Sequence, residues 1–96
     1  MRITELQKKA IIGAVKKADP DARVWLFGSR ADDSKKGGDI DIAVLSKNVY
    51  DEPMQKINIK RLICDKIGEQ KIDIVTSANE EEAIFKLAMI EGVELV

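Results

Sequence analysis

The feature that most constrains this chain is a short apolar stretch that begins with two acids. Residues 38–45 read Gly-Asp-Ile-Asp-Ile-Ala-Val-Leu. Side chains alternate between the two faces of a β-strand, so Asp39 and Asp41 would share one face while Ile40 and Ile42 enter a core. Asp is a poor strand former, and like charges on one face repel. A divalent cation is the simplest ligand that offsets this cost, because Mg²⁺ is commonly held by one or two carboxylates plus substrate phosphates.

A glycine-containing turn precedes this stretch. Gly28 and Ser29 follow the apolar residues 24–27, which read as a strand. A glycine lets a ligand approach the backbone, and backbone amides that open a helix favour an anion, so the turn could seat phosphates. Ser29 would add a hydroxyl, or it could serve only as the N-cap of a helix, and the two roles are compatible.

A third acid, Asp73, lies inside the apolar run of residues 72–75. If this run pairs beside the strand of Asp39 and Asp41, with Ile72 and Ile74 in the core, Asp73 joins the carboxylate face. Three acids beside a phosphate-binding turn indicate two-metal chemistry. In such sites two ions about 3.5–4 Å apart clamp the attacking and leaving oxygens of an in-line displacement.

The combination of Gly28-Ser29, Asp39-Ile40-Asp41 and the later Asp73 resembles the nucleotidyltransferase superfamily that includes DNA polymerase beta. More narrowly, it resembles the minimal nucleotidyltransferase (MNT) domains, over nearly the whole chain. The resemblance implies that two Mg²⁺ ions are bound by Asp39 and Asp41, and that Asp73 shares a metal and helps to deprotonate an acceptor hydroxyl. Gly28 and Ser29 would hold the terminal phosphates of the nucleotide.

The loop between the turn and the acids departs from the MNT pattern. Many MNT loops carry Arg-Gly where this chain has Asp32-Asp33, and often Ser where it has Gly38. The acidic pair should weaken the field that attracts a triphosphate. Arg30 could pair with the triphosphate or with the two loop acids. With Gly28, Ser29 and Gly38, it forms the candidate nucleotide-binding set.

Composition bounds the remaining possibilities. The 96 residues, 45% hydrophobic and 34% charged, are expected to form a single domain spanning 1–96. The net charge of −1 gives no basic footprint, so no direct nucleic-acid binding is expected. No apolar run reaches the length of a membrane span, no signal-peptide core is evident, and one lone cysteine, Cys64, favours a cytoplasmic location. The chain has no His, which excludes Ser-His-Asp triads and histidine zinc sites.

Periodicity and capping signals predict an α/β (α+β) domain, a small mixed sheet flanked by helices. A capping box, Thr4 with Gln7, predicts the start of the first helix, and Gly68 the end of the second. Asn79 is expected to cap a third helix whose first turn carries the acids of 80–82 and which Gly92 ends. The predicted helices are 5–18, 54–67 and 80–91, the predicted strands are 23–27, 39–45 and 71–76, and residues 93–96 are a final strand or a tail.

The resemblance also implies a reaction and a partner. The reaction is transfer of a nucleoside monophosphate, AMP from ATP in the family's usual case, to an acceptor hydroxyl with release of pyrophosphate. A chain this short is expected to receive its acceptor from a partner protein. MNT proteins of this kind are typically encoded beside a HEPN-domain ribonuclease toxin and act as its antitoxin, which can add AMP to a tyrosine. The alternatives are an antitoxin that works by contact alone and a transferase for a small molecule.

Overall fold

A four-stranded mixed sheet organises the chain, which a computed structural model describes for residues 3–31 and 38–96. The sheet order is β3-β2-β1-β4, with β1 antiparallel to both β2 and β4, and β2 parallel to β3. The predicted class, a mixed sheet flanked by helices, is confirmed. In chain order the elements are α1 (Glu5–Ala18), β1 (Arg23–Phe27), a 3-10 turn (Gly28–Arg30), β2 (Ile40–Leu45), α2 (Pro53–Ile67), β3 (Ile72–Ser77), α3 (Ala83–Glu91) and β4 (Val93–Glu94).

One face of the sheet carries the main core. Ile40, Ile42 and Val44 of β2 are fully buried there, as the alternation of apolar residues predicts. The helices α1 and α2 pack together against this face and contribute large aliphatic side chains to the same cluster. The principal helix residues of the core are Ile11, Val15, Ile59 and Ile63.

The opposite face carries a smaller aromatic cluster. Trp25 of β1 meets Phe85 of α3 edge to face, with ring centroids 5.0 Å apart and an interplanar angle of 87°. Ala43 of β2 lies beneath them, and Phe27 and Leu45 pack at the margin. Trp25 is therefore part of the buried core. Among the described elements, α3 is therefore the helix that covers the face of the sheet to which the odd-numbered residues of β2 point.

The capping signals of α1 and α2 operate as predicted. The backbone N–H of Thr4 donates to Oε1 of Gln7 at 2.9 Å, and the N–H of Gln7 donates to Oγ1 of Thr4 at 3.0 Å. Gly68, at φ +88°, ends α2 and donates its N–H to the carbonyl of Cys64. The helix α2 begins one residue earlier than predicted, because Pro53 occupies its first turn, where a missing N–H costs nothing.

The predicted start of α3 is wrong. Asn79 does not cap it, because Asn79 belongs to a tight turn in which its N–H donates to Oγ of Ser77 and its Oδ1 accepts from the N–H of Glu81. Residues 80–82 therefore precede the helix, and the carbonyl of Glu82 accepts the first helical hydrogen bonds. Short polar side chains bond nearby backbone groups and so compete with helix formation. The predicted stop is confirmed, since α3 ends immediately before Gly92.

The C-terminal residues form a strand rather than a tail. The N–H of Leu95, which is buried, donates to the carbonyl of Val24 at 2.9 Å. Arg23 of β1 also fastens β4, because its guanidinium donates two hydrogen bonds to the Glu94 carboxylate, at 2.8 and 3.0 Å. No helix within the described residues is long and apolar enough to cross a membrane.

Candidate active site

The topology of the sheet brings Asp41 and Asp73 side by side. The strands β2 and β3 are parallel, and their register pairs Asp41 directly with Asp73. Neighbouring strands lie about 4.8 Å apart, so two aligned side chains on one face are close neighbours. Because Ile40, Ile42, Ile72 and Ile74 enter the main core, both acids lie on the α3 face of the sheet. The predicted pairing of these two strands and the predicted face of Asp73 match this placement.

Asp39 stands at the edge of this pair. It lies just before β2, which begins one residue later than predicted, and its Oδ2 is 3.4 Å from Nζ of Lys71. Both side chains of this ion pair are largely exposed, so the pair is weak and readily exchanged for another partner. Among residues 3–31 and 38–96, no group of three or more acidic or cysteine side chains is close enough to hold one ion. Of the three predicted acids, Asp41 and Asp73 therefore form a close pair, and Asp39 lies beside that pair.

The electrostatics of Asp41 reflect this crowding. Its pKa is raised above the ordinary value of 3.8, first by burial and then by the negative charge of Asp73 and a hydrogen bond between the two carboxyl groups. Asp39 adds to the rise, and Lys71 opposes it. A cation beside the pair would offset both the burial and the repulsion. Oxygen-only donors are what Mg²⁺ prefers, so the residues present fit a divalent ion of this kind.

Gly28 is required where β1 ends. Its φ of +71° lies in the left-handed region, which side chains other than glycine rarely adopt. A Cβ atom at this position would also collide with Oδ2 of Asp41. The preceding residue, Phe27, is the register partner of Asp41, which explains the contact. The sequence predicted a close approach of the glycine backbone, and its neighbour in the structure is the candidate metal-binding carboxylate.

The turn after β1 differs from the predicted helix start. Residues Gly28–Arg30 form only a 3-10 turn, whose N-cap is Phe27 without any side-chain hydrogen bond. The reading of Ser29 as an N-cap is therefore wrong, because Ser29 lies inside the turn. A turn of three residues also lacks the aligned amides of an α-helix that were expected to attract phosphate. The side chain of Ser29 lies outside what the structure describes.

The far end of the loop is fastened at Gly38. Nη2 of Arg30 donates to the carbonyl of Gly38 at 2.8 Å, and Nε2 of Gln70 donates to the same oxygen at 2.7 Å. Arg30 thus links the turn after β1 to the start of β2, rather than leaving both ends independent. The predicted contacts of Arg30 with Asp32 and Asp33 fall outside the described residues.

Sequence reasoning missed two residues of this site, Gln70 and Lys71. Lys71 lies two positions before Asp73, so the alternation of the strand already placed both side chains on one face. That signal was present, but the role of Lys71 depends on its ion pair with Asp39, which the parallel register creates. No pattern in the sequence indicated that Gln70 would bind the carbonyl of Gly38.

The first prediction concerns Gly28. Gly28→Ala should lower the free energy of unfolding by more than the roughly 1–2 kcal/mol expected of a left-handed backbone alone, because the new Cβ meets the Asp41 carboxylate. In an Asp41→Ala background the extra loss should disappear. Urea denaturation of the two single variants and the double variant measures this coupling, and strictly additive effects would contradict the contact. Gly13→Ala is the matched control, since a Cβ there meets nothing within 4 Å and should stabilise α1 by about 0.5–1 kcal/mol.

The second prediction concerns pH. Folded Asp41 holds its proton more tightly than unfolded Asp41, so its contribution to stability falls as pH rises from 3.8 through its raised pKa. Asp41→Asn should therefore become more stable relative to wild type across this window, and should have no such advantage below it. The measurement is chemical denaturation of both proteins over a pH series, and a difference independent of pH would contradict the crowding at Asp41.

Other acids titrate with the opposite sign. Hydrogen bonds from Ser46 and from the Asp21 N–H lower the pKa of Asp19, and the Arg23 hydrogen bond lowers that of Glu94. Stability that these two groups contribute is present above their ordinary values of 3.8 and 4.5 and is lost as pH falls through the lowered values. Both contributions are common to wild type and Asp41→Asn, so they cancel in the comparison.

Comparison with known proteins agrees with this geometry. The model of the family described as "Polymerase beta, Nucleotidyltransferase" matches residues 9–96. Among solved structures, the crystal structure of the toxin–antitoxin MntA–HepT superposes with a TM-score of 0.66 at 22% identity, covering 97% of this chain and 72% of that chain. At this identity the likeness shows a shared fold. No curated protein matches the sequence. Because the family match spans nearly the whole chain, the chain belongs to the polymerase beta nucleotidyltransferase family.

Proposed function

We propose that this chain transfers AMP from ATP to a hydroxyl group of a HEPN-domain toxin, with Mg²⁺ as cofactor, and so acts as its antitoxin. The observation that carries the proposal is the register that sets Asp41 beside Asp73 at the mouth of the Gly28 turn. A pair of crowded carboxylates on one sheet face, in a nucleotidyltransferase family domain, is suited to hold the metal and the phosphates together.

The three acids divide the work of the reaction. Asp39, Asp41 and Asp73 would hold two Mg²⁺ ions, which would neutralise charge that develops on the transferred phosphoryl group. The acceptor oxygen attacks the α-phosphorus of ATP, the bond to the β-phosphate oxygen breaks, and pyrophosphate leaves. Asp73 takes the proton from the acceptor hydroxyl, since the chain has no His to act as a base.

The turn and loop would position the nucleotide. Gly28 leaves room beside Asp41, and Ser29 follows it in the turn that would face the terminal phosphates. Arg30 and Gly38 join the two ends of the loop through their hydrogen bond. Binding of ATP would also break the weak ion pair between Asp39 and Lys71. The Asp39 carboxylate would then be available to bind the metal.

The choice of acceptor is supported by the likeness to MntA–HepT, a toxin–antitoxin pair, over 97% of this chain. A tyrosine of a HEPN-domain toxin is the proposed acceptor, and the cytoplasm is the proposed location. The ion pair that occupies Asp39 gives one reason to keep a second candidate, an antitoxin that acts by contact alone.

The third prediction separates metal binding from transfer. Asp39→Asn combined with Asp41→Asn should abolish the rise in melting temperature caused by Mg-ATP, while raising the stability of the ligand-free protein because repulsion is removed. Asp73→Asn should keep most of that rise but lose transfer. Transfer is measured as added adenylate in the intact mass of the HEPN protein after incubation with ATP and Mg²⁺.

Asp65→Asn is the matched control, because Asp65 is an exposed acid on α2, which packs on the other face of the sheet. It should behave as wild type in both assays. Transfer at the wild-type rate by Asp73→Asn would remove Asp73 from the machinery. A tight complex with the HEPN protein, without any added mass from the wild-type enzyme, would favour neutralisation by contact.

A further inference from the structure

The outer side of α3 is unusually apolar for a surface helix. Of its nine residues, Phe85 is fully buried against Trp25, whereas the side chains of Leu87 and Ile90 are 49% and 81% exposed. These two residues are three apart and so lie next to each other on one side of the helix. A surface helix normally turns polar residues outward, and monomers rarely expose contiguous apolar patches larger than a few hundred Å². We term Leu87 and Ile90 the α3 apolar surface.

The chain path places this surface beside the acids. The strand β3 runs from Asp73, at the acidic end of the sheet, to Ser77 at the other end. The helix α3 then returns, because β4 follows it at once and pairs Val93 with Leu26, next to the β1 terminus where Phe27 faces Asp41. The C-terminal half of α3 therefore arrives at the acidic end. Its contact through Phe85 puts it on the same face of the sheet as the carboxylates.

The chemistry of α3 selects the kind of molecule that can cover it. Lys86 is the one basic residue of the helix, and it is paired with Glu81 at 3.0 Å. A nucleic acid, which binds through its phosphates, finds no cationic surface there. Apolar side chains of a protein can bury Leu87 and Ile90 and gain the free energy of removing them from water.

We propose that the α3 apolar surface docks the protein that carries the acceptor hydroxyl, through an apolar patch next to that hydroxyl. This inference rests on the proposed function and adds the surface that selects the acceptor. Contacts beside the reacting groups would hold the acceptor hydroxyl in the geometry needed for attack. Holding two reactants in the right geometry accelerates a reaction strongly. The C-terminal half of α3 reaches the acidic end of the sheet, so a protein that covers the α3 apolar surface can present its hydroxyl to Asp73.

The test compares two exposed isoleucines on helices that cover opposite faces of the sheet. Ile90→Glu changes α3, and the matched control Ile57→Glu changes an isoleucine of α2 that is 53% exposed. Calorimetry with the HEPN-domain toxin used in the transfer assay should show at least a tenfold loss of affinity for Ile90→Glu and none for Ile57→Glu. The Mg-ATP melting shift should be unchanged in both. The apparent KM for the HEPN protein should rise in Ile90→Glu, with little change in kcat.

Several outcomes would overturn the inference. Equal affinity of wild type and Ile90→Glu removes the docking role and leaves the proposed transfer intact, since wild type still adds AMP. Loss of a wild-type dimer in Ile90→Glu, by analytical ultracentrifugation, would assign the surface to a second copy, and vesicle binding lost in Ile90→Glu would assign it to a membrane. Leu87→Ser provides a second variant should Ile90→Glu unfold. If Ile90→Glu loses binding but wild type adds no AMP, the docking role of the α3 apolar surface stands and the proposed transfer reaction is refuted.

Discussion

Two carboxylates are held side by side by the parallel pairing of β2 and β3, and the rest of the site depends on that contact. At a separation of 4 Å two like charges repel by about 1 kcal/mol in water and about 4 kcal/mol near a protein surface. The same register buries Ile40, Ile42 and Val44 completely, and each such side chain contributes about 1.5–3 kcal/mol. The buried aliphatic side chains therefore fix a register that the acids alone would oppose. A slip by one residue would turn Asp41 into the core.

The two faces of the sheet consequently have different tasks. The face covered by α1 and α2 carries the larger buried core, and the face that carries Asp41 and Asp73 holds the crowded acids and, among the described elements, the short helix α3. Gly28 belongs to the second face, because its missing side chain is what allows β1 to end against the Asp41 carboxylate. The crowding that raises the pKa of Asp41 and the left-handed backbone of Gly28 both cost folding free energy. Burial of apolar side chains on the opposite face offsets that cost.

The sequence was informative wherever a local pattern decides the structure. Alternation in residues 39–45 and 72–75 predicted both strands and the shared face of Asp41 and Asp73, and the capping box of Thr4 predicted the start of α1. The family inferred from the Gly-Ser and Asp-x-Asp pattern is confirmed. One error arose where a short polar side chain had two possible partners: Asn79 bonds within its own turn instead of capping α3. Another arose at Ser29, whose backbone lies inside a 3-10 turn instead of starting a helix.

Other features depend on tertiary structure and leave little local trace. The ion pair of Lys71 with Asp39 exists because β3 lies parallel to β2. The exposed side of α3 was ambiguous in the sequence, because apolar residues occupy nearly every position of residues 83–90 and no periodicity marks a buried stripe. Only the packing of Phe85 on Trp25 determines which side faces solvent.

The central claim is that the acids of β2 and β3 hold divalent ions together with a nucleotide. It is tested most directly by a Mn²⁺ titration followed by electron paramagnetic resonance, in the presence of an ATP analogue that cannot be cleaved between its α- and β-phosphates. The proposed site predicts two bound ions per chain in wild type and a clear loss of bound Mn²⁺ when Asp41 is changed to Asn. The same number of ions, bound with the same affinity, in the Asp41→Asn protein would contradict it.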